Sequence, residues 1–222
     1  MSRKLINCDL GECLTPNPDA EIMPLIDIAN IACGGHVGDN NSMLKTIQLA
    51  KHSQVKIGAH PSYADKQNFG RISHQLNDQA LYDLLYQQIT NFQKLCQDNA
   101  AVLETIKPHG TLYHDITHNP NVFDVCCEVI QNIDENLSLV VQAGFKKKTN
   151  INLLYEVFAD RAYQGIQMIP RSEENAVLKD ADAIVEQYQY FLTQDSFALD
   201  TICFHGDNPA SVKALKQLKG NA

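Results

Sequence analysis

The chain has 222 residues, of which 44% are hydrophobic and 20% charged, an ordinary globular mix with enough length for a substantial core. Collagen-like, disordered and disulfide-stapled classes are therefore excluded. Lysine and arginine number 18 against 26 aspartates and glutamates, and the formal net charge of −8 argues against a general nucleic-acid binder or a protein that docks on anionic lipid.

Cysteine use and the first residues bear on the compartment. Seven cysteines occur at irregular spacings, and no secretory signal pattern precedes the first apolar run. Such usage is typical of a reducing compartment, so we predict a cytoplasmic protein with mostly buried thiols, Cys33 among them. No apolar run reaches the roughly 18 residues of a membrane-spanning helix, and no such helix is predicted.

Seven short apolar runs predict β-strands. In chain order they are Leu5–Cys8, Ile28–Cys33, Val55–Ala59, Leu103–Ile106, Leu139–Val141, Val157–Ala159 and Thr201–Phe204. Between them apolar residues recur at helical spacing, and Asn77 and Asn119 can cap two of these helices. The predicted helices cover residues 43–50, 81–95, 122–133, 183–191 and 209–218. This alternation predicts one parallel α/β domain over residues 1–222, with the sheet either open and doubly wound or closed as a barrel.

Polar residues directly follow almost every predicted strand; the fifth, followed by Gln142–Gly144, is the exception. Because the C-terminal ends of parallel strands share one edge, we expect a single polar pocket there. The residues at these ends are Asp9, Glu12, His36, Asp39, His60, Lys107, His109, Asp160, Arg161, His205 and Asp207. The remaining histidines are expected at the surface: His52, His74, His114 and His118.

Carboxylates and imidazoles in one pocket suit either general acid–base catalysis or a catalytic divalent metal. The chain has no HxH or HExxH motif, so an acid–base network is favoured over a metal site. No metal ligands are assigned, and a divalent metal stays an open alternative. A P-loop for phosphate binding is also absent from the sequence. Lys107, Arg161 and Arg171 can supply positive charge to a carboxylate or phosphoryl group. The residues alone predict a small-molecule hydrolase or lyase with a polar or anionic substrate.

A set of sequence blocks, in one order over nearly the whole chain, resembles the family of 5-oxoprolinase A subunits, the LamB/YcsF-type proteins. The blocks are Asn7–Glu12, Ala29–Gly34, His36, Gly38–Asp39, Ile57–Pro61, Phe69–Arg71, Lys107–Tyr113, Phe158–Tyr163, Pro170–Ser172 and Cys203–Pro209. The resemblance implies a barrel-like (β/α)7 fold, related to polysaccharide-deacetylase and glycoside-hydrolase barrels. It also implies ATP-dependent hydrolysis of 5-oxo-L-proline to L-glutamate together with two further subunits, B and C, with ATP used by the assembly.

Two sets of candidate site residues follow. The candidate catalytic residues are Asp9, Glu12, His36, Asp39, His60, Lys107, His109, His205 and Asp207. The candidate substrate-binding residues are Asn7, Arg71, Asp160, Arg161 and Arg171. We expect Asp9 or Glu12 to activate water and the strand-end histidines to relay protons. Lys107 and Arg161 are expected to hold the substrate carboxylate or phosphoryl group.

Two other functional classes stay open at this point. The histidine and aspartate set on a related barrel would also suit a metal-dependent deacetylase or amidohydrolase. The lack of a P-loop would suit a non-catalytic accessory subunit that captures the substrate.

Overall fold

The computed structural model describes residues 3–220, and at its centre seven parallel strands form a closed barrel. The strands of the chain are β1 (Leu5–Leu10), β2 (Ile28–Ala32), β3 (Lys56–His60), β4 (Leu103–Ile106), β5 (Ser138–Gln142), β6 (Asn152–Phe158), β7 (Tyr163–Gln164), β8 (Gln167–Met168) and β9 (Thr201–His205). The barrel order is β1-β2-β3-β4-β5-β6-β9, and β9 pairs with β1 to close it. Strands β7 and β8 form a separate antiparallel hairpin.

All seven predicted strands are present, and the closed barrel implied by the family resemblance is confirmed. Every pairing within the barrel is parallel, so the strands deliver their C-terminal ends to one face. The choice between an open and a closed sheet is therefore decided in favour of closure, which leaves the barrel itself without an edge strand.

Helices surround the barrel. They are α1 (Asp19–Ile22), α2 (Asn40–His52), α3 (Asp78–Asp98), α4 (Gly110–His118), α5 (Pro120–Ile133), α6 (Ala181–Leu192) and α7 (Pro209–Leu218). The predicted caps are confirmed, because the Asn77 side chain accepts from the Ala80 amide and Asn119 from the Asn121 amide. Helices α1 and α4 were not predicted, and β5 connects to β6 without a helix.

Side-chain alternation along the strands separates an apolar outer layer from a polar barrel interior. On β1 the side chains of Cys8 and Leu10 join the apolar core, whereas Asn7 and Asp9 take part in a buried polar network. The amphipathic helices cover the outer face of the barrel. The polar interior opens at the C-terminal ends of the strands, which places the predicted site residues at one mouth.

Two further expectations concern thiols and membranes. All seven cysteines are free, and six of them, including Cys33, are buried, which confirms the expectation for the thiols. Within residues 3–220, no helix has both the length and the apolar character needed to span a bilayer.

Candidate active site

Three strand-end histidines and one glutamate meet on one side of the barrel mouth, a group we call the histidine cluster: Glu12, His36, His60 and His109. The two imidazoles of His36 and His109 stack with centroids 3.7 Å apart. His109 Nδ1 lies 2.9 Å from His60 Nε2. The Glu12 carboxylate lies 3.5 Å from both His36 Nε2 and His109 Nδ1.

Backbone turns hold this cluster together. Gly11 has φ of 71°, a left-handed conformation that favours glycine, and the turn it makes brings Glu12 against the histidines. Gly70 has φ of 64°, and a Cβ built there would lie 3.0 Å from both His36 and His109. The chain around Gly70 thus packs directly onto the stacked imidazoles.

Burial sets the protonation of the cluster. It lowers the pKa of His36 and of His109 to about 4, and in His109 the neighbouring His36 adds to the effect. Burial also holds the pKa of His60 well below its usual value. The Glu12 carboxyl shifts the other way, because burial and then the Asp9 charge raise its pKa to about 7.

Lys107 lies inside the barrel beneath the cluster and is 1% exposed. Its Nζ lies 2.9 Å from Asp9 Oδ1, 3.0 Å from Glu156 Oε2 and 3.2 Å from Asn7 Oδ1. Burial opposes the charge on Lys107, but Asp9, Cys203 and Glu156 together outweigh it and the pKa is raised. Burial likewise opposes ionisation of Asp9, yet His60 and Lys107 more than offset it, and the Asp9 pKa is held well below its usual value.

His205 occupies the other side of the mouth. Its Nδ1 lies 2.7 Å from Asp160 Oδ1, and its ring stacks on Phe158 with centroids 5.2 Å apart. Burial would lower the pKa of His205, but the Asp160 carboxylate outweighs burial and the pKa is raised. Asp9 links the two sides, because its carboxylate lies 3.4 Å from His60 and within 4.8 Å of a His205 nitrogen.

The outer rim of this second side carries charge. Arg71 and Arg171 each place a guanidinium nitrogen close to the Asp207 carboxylate, at 3.4 Å and 3.6 Å. Both arginine side chains are nearly half exposed, at 44% and 45%, so they have donors left for a ligand. This pair supplies accessible positive charge beside the mouth.

Three predicted site residues have other tasks. Asp39 is exposed and caps α2 through the Ser42 amide, because it follows the turn that starts this helix. Arg161 is buried and donates to the carbonyls of Ala176 and Ile169, so it holds its own loop. Asn7 lies within the barrel, where its amide donates to Glu156. The remaining predicted site residues are brought together at the mouth or directly beneath it.

Sequence reasoning missed several polar residues of the site. Glu156 is fully buried in β6 and pairs with Lys107, and Asn30 of β2 donates to Asp9. Ser62 lies 3.0 Å from His36 Nδ1. The available signal for Glu156 was a lone charge within an apolar strand pattern, which marks a residue that needs a buried partner.

The side-chain chemistry of the histidine cluster fits a divalent cation. The four donor atoms, one from each residue, all lie within 4.8 Å of one another. They come from the ends of β1, β2, β3 and β4. Because these positions are far apart in the sequence, no short linear motif predicts that the four residues form one site. Asp9, Cys203 and His205 form a second group of potential donors at the same spacing.

Comparisons with known proteins add to this geometry. A model of the LamB/YcsF family matches residues 5–222. The chain belongs to the LamB/YcsF family. Proteins named as the A subunit of 5-oxoprolinase are 38% identical in Vibrio cholerae, over 99% of this chain and 98% of the relative, and 37% identical in Pseudomonas fluorescens, over 99% and 96%.

Solved structures of other proteins have the same fold as this chain. The lactam utilization protein from Thermus thermophilus matches with a TM-score of 0.87 and 26% identity, over 99% of this chain and 98% of that one. A family 4 carbohydrate esterase from Streptomyces lividans shares the fold at a TM-score of 0.54 and 11% identity, over 98% and 86%. The expected relation to deacetylase-type barrels therefore holds for the architecture.

Proposed function

We propose that this chain is the A-type subunit of an ATP-dependent 5-oxoprolinase that hydrolyses 5-oxo-L-proline to L-glutamate, with subunits B and C as partners in the cytoplasm. The supporting observation is the polar mouth of the barrel on a chain 38% identical to a protein named as the A subunit of 5-oxoprolinase. The candidate residues Asp9, Glu12, His36, His60, His109 and His205 fall into two groups of closely spaced donor atoms, which supports the proposal.

The chemistry explains why such an enzyme would use ATP. The amide of a five-membered lactam resists water, and phosphorylation of its oxygen makes the ring carbon more electrophilic. One water adds to that carbon, and the C–N bond breaks as the ring nitrogen takes a proton, which leaves an acyl phosphate. A second water releases phosphate and completes the side-chain carboxylate of glutamate. The ATP site belongs, in this proposal, to the assembled complex.

Asp9 is the candidate residue that orients the attacking water. One of its oxygens is occupied by Lys107 and Asn30, at 2.9 Å and 3.0 Å, which fixes the carboxylate in place. The other oxygen faces His60 at 3.4 Å, on the side toward the mouth. Such a preorganised carboxylate positions water without rearrangement during the reaction.

His205 is the candidate proton donor for the ring nitrogen. Its Nδ1–H donates to Asp160, which fixes the ring and favours the imidazolium form. Among residues 3–220 its other nitrogen, Nε2, has no hydrogen-bonding partner, and it can donate to a substrate. Because Lys107 and Arg161 are occupied within the protein, Arg71 and Arg171 replace them as the candidate partners of the substrate carboxylate.

Reconstitution tests the proposal. The full chain is mixed with the partner subunits, 5-oxo-L-proline and ATP, and glutamate release is measured. We expect Asp9→Asn to reduce turnover on the order of 10²- to 10⁴-fold. Asp39→Asn is the matched control, because the exposed Asp39 caps α2 and asparagine also caps helices well. Equal turnover of Asp9→Asn and wild type would contradict the proposal.

The alternative of a purely accessory role gives a different result in the same assay. A chain that only delivers the substrate would lower KM for 5-oxo-L-proline in the complex, and Asp9→Asn would raise KM with kcat unchanged. A loss of kcat would instead support a role in the chemistry.

A further inference from the structure

We infer that His36, His60 and His109, together with Glu12, form a binding site for one divalent transition-metal ion. The inference concerns the ring nitrogens that converge at the centre of the histidine cluster. Which of them carry hydrogen follows from the groups on the outer side of each ring.

Two of the rings donate outward to backbone carbonyls. His60 Nδ1 lies 2.6 Å from the carbonyl oxygen of Lys107, and His109 Nε2 lies 2.9 Å from that of Phe69. A carbonyl oxygen only accepts, so both of these nitrogens carry the hydrogen. In neutral rings the opposite nitrogens, His60 Nε2 and His109 Nδ1, are then both lone pairs, yet they face each other at 2.9 Å.

The third ring repeats the arrangement through a hydroxyl. Ser62 donates its only hydroxyl hydrogen to the Tyr63 carbonyl at 2.9 Å, so its oxygen accepts from His36 Nδ1 at 3.0 Å. The remaining nitrogen, His36 Nε2, is therefore a lone pair. It is buried and has no hydrogen-bonding partner among residues 3–220, and Glu12 Oε1 lies 3.5 Å away.

Three lone pairs and the Glu12 carboxyl group thus converge on one point, and no other side chain of residues 3–220 donates a hydrogen bond to these nitrogens. Such an arrangement is repulsive unless a cation occupies the centre, and all three rings are buried, at 1%, 1% and 7% exposed. Neutral imidazole and carboxylate are ligands of Zn²⁺ and related ions. The outer N–H of each ring is anchored to an oxygen, an arrangement that orients histidine ligands in metal sites.

The ion would also help to activate the attacking water. The Asp9 carboxylate, which orients the attacking water in the proposed function, lies 3.4 Å from His60 Nε2. A divalent ion held by the histidine cluster would lie beside this carboxylate and would make a neighbouring water easier to deprotonate. This purpose rests on the proposed function, whereas the binding site itself rests only on the convergence of donors.

Metal binding by the untagged full chain tests the inference. After chelator treatment and dialysis, the protein is titrated with Zn²⁺, and with Co²⁺ as a spectroscopic probe. We expect one equivalent bound and Co²⁺ absorption bands typical of nitrogen and oxygen ligands. His36→Asn, His60→Asn and His109→Asn should each weaken Zn²⁺ binding on the order of 100-fold or more.

An exposed histidine pair supplies the matched control. His114 and His118 stack one turn apart on α4, a spacing that can chelate metal on a helix surface. His114→Asn should leave the tight equivalent unchanged. Loss of that equivalent in His114→Asn, or its retention in His36→Asn, would overturn the inference.

Two further measurements, the imidazole ¹⁵N shifts and glutamate release, decide the cases that the variants leave open. If a cluster variant does not fold, the ¹⁵N shifts of the three wild-type imidazoles on Zn²⁺ addition decide, and unchanged shifts overturn the site. If the chain binds the ion but the reconstituted complex does not release glutamate, the proposed function fails and the metal site stands. Full turnover by protein that binds no metal overturns the site alone.

Discussion

At the ends of β2, β3 and β4 the imidazoles lie against one another, whereas at the end of β9 the imidazole of His205 lies against a carboxylate. His36 and His109 have pKa values of about 4 because they are buried together. His205 is also largely buried, but Asp160 at 2.7 Å raises its pKa. Position after a strand thus brings an imidazole to the mouth, and its partner decides whether its pKa is lowered or raised.

The largest expected effect separates the two sides by activity. We predict that His205→Asn reduces glutamate release by the reconstituted complex on the order of 10²- to 10⁴-fold, because it removes the candidate proton donor. Zn²⁺ stoichiometry, measured on the same protein, should stay at that of wild type. A variant that loses metal while it keeps its activity would reverse the assignment of the two sides.

The buried ion pairs of Lys107, which lie beneath both sides of the mouth, are tested by the free energy of unfolding. Lys107→Met leaves Asp9 and Glu156 as buried carboxylates without their cation, and breaking such a buried pair costs about 3–5 kcal/mol of unfolding free energy. Lys56→Met is the matched control, because Lys56 pairs with Glu104 at the surface and should cost about 1 kcal/mol or less. Urea denaturation of both variants makes the comparison, and equal losses would show that Lys107 is not a buried support.

The Asp160 and His205 pair predicts a pH dependence of stability. The raised His205 pKa contributes stability that is present below its ordinary value of about 6.5 and is lost as pH rises through the folded pKa. The lowered Asp160 pKa contributes stability above about 3.8, lost as pH falls through the folded value. The pair therefore stabilises most between about pH 4 and about pH 6.5. Besides Asp160, the charged groups that act on His205 include Asp9 and Lys107, and His205 in turn acts on Glu12.

Asp160→Asn should therefore destabilise the protein by about 1–3 kcal/mol more at about pH 5.5 than at about pH 8.5. Urea denaturation of wild type and variant at both values provides the measurement. A difference that does not change with pH would mean that Asp160 acts only through packing.

The smallest expected effect concerns the backbone over the histidine cluster. Gly70 and Gly165 have nearly the same φ, 64° and 65°, so alanine meets the same backbone strain at both, about 1 kcal/mol. Only at Gly70 would the added Cβ press on His36 and His109, whereas nothing lies within 4 Å at Gly165. Gly70→Ala should therefore be the more destabilising of the two and should also weaken Zn²⁺ binding. Identical behaviour would show that the cluster adjusts freely.

The sequence predicts the strands well, because each is a short apolar run and every one except the fifth is followed by a charged residue or a histidine. It also predicts which residues share the mouth, since parallel strands end on one face. Barrel closure depends on the β1–β9 pairing, which no local pattern reveals. Helix α4 was missed because it begins at Gly110, inside a block that looked like a loop.

The role of each residue in the site was harder to predict than which residues lie in the site. Lys107 and Arg161 look like anion-binding residues in the sequence, yet each is occupied by protein partners that become visible only in three dimensions. Asp39 follows a strand as the others do, but it starts α2 and is used as its cap. The facing lone pairs of the histidines depend on carbonyls from other loops, which sequence spacing cannot show.

We divide the strand-end histidines into three neutral rings and the imidazolium of His205. The ¹⁵N spectrum of the imidazoles at about pH 6 tests this division most directly. We predict one ring hydrogen each on Nδ1 of His36 and His60 and on Nε2 of His109, and two on His205. A hydrogen on any of the three converging nitrogens, or a singly protonated His205, would contradict this division.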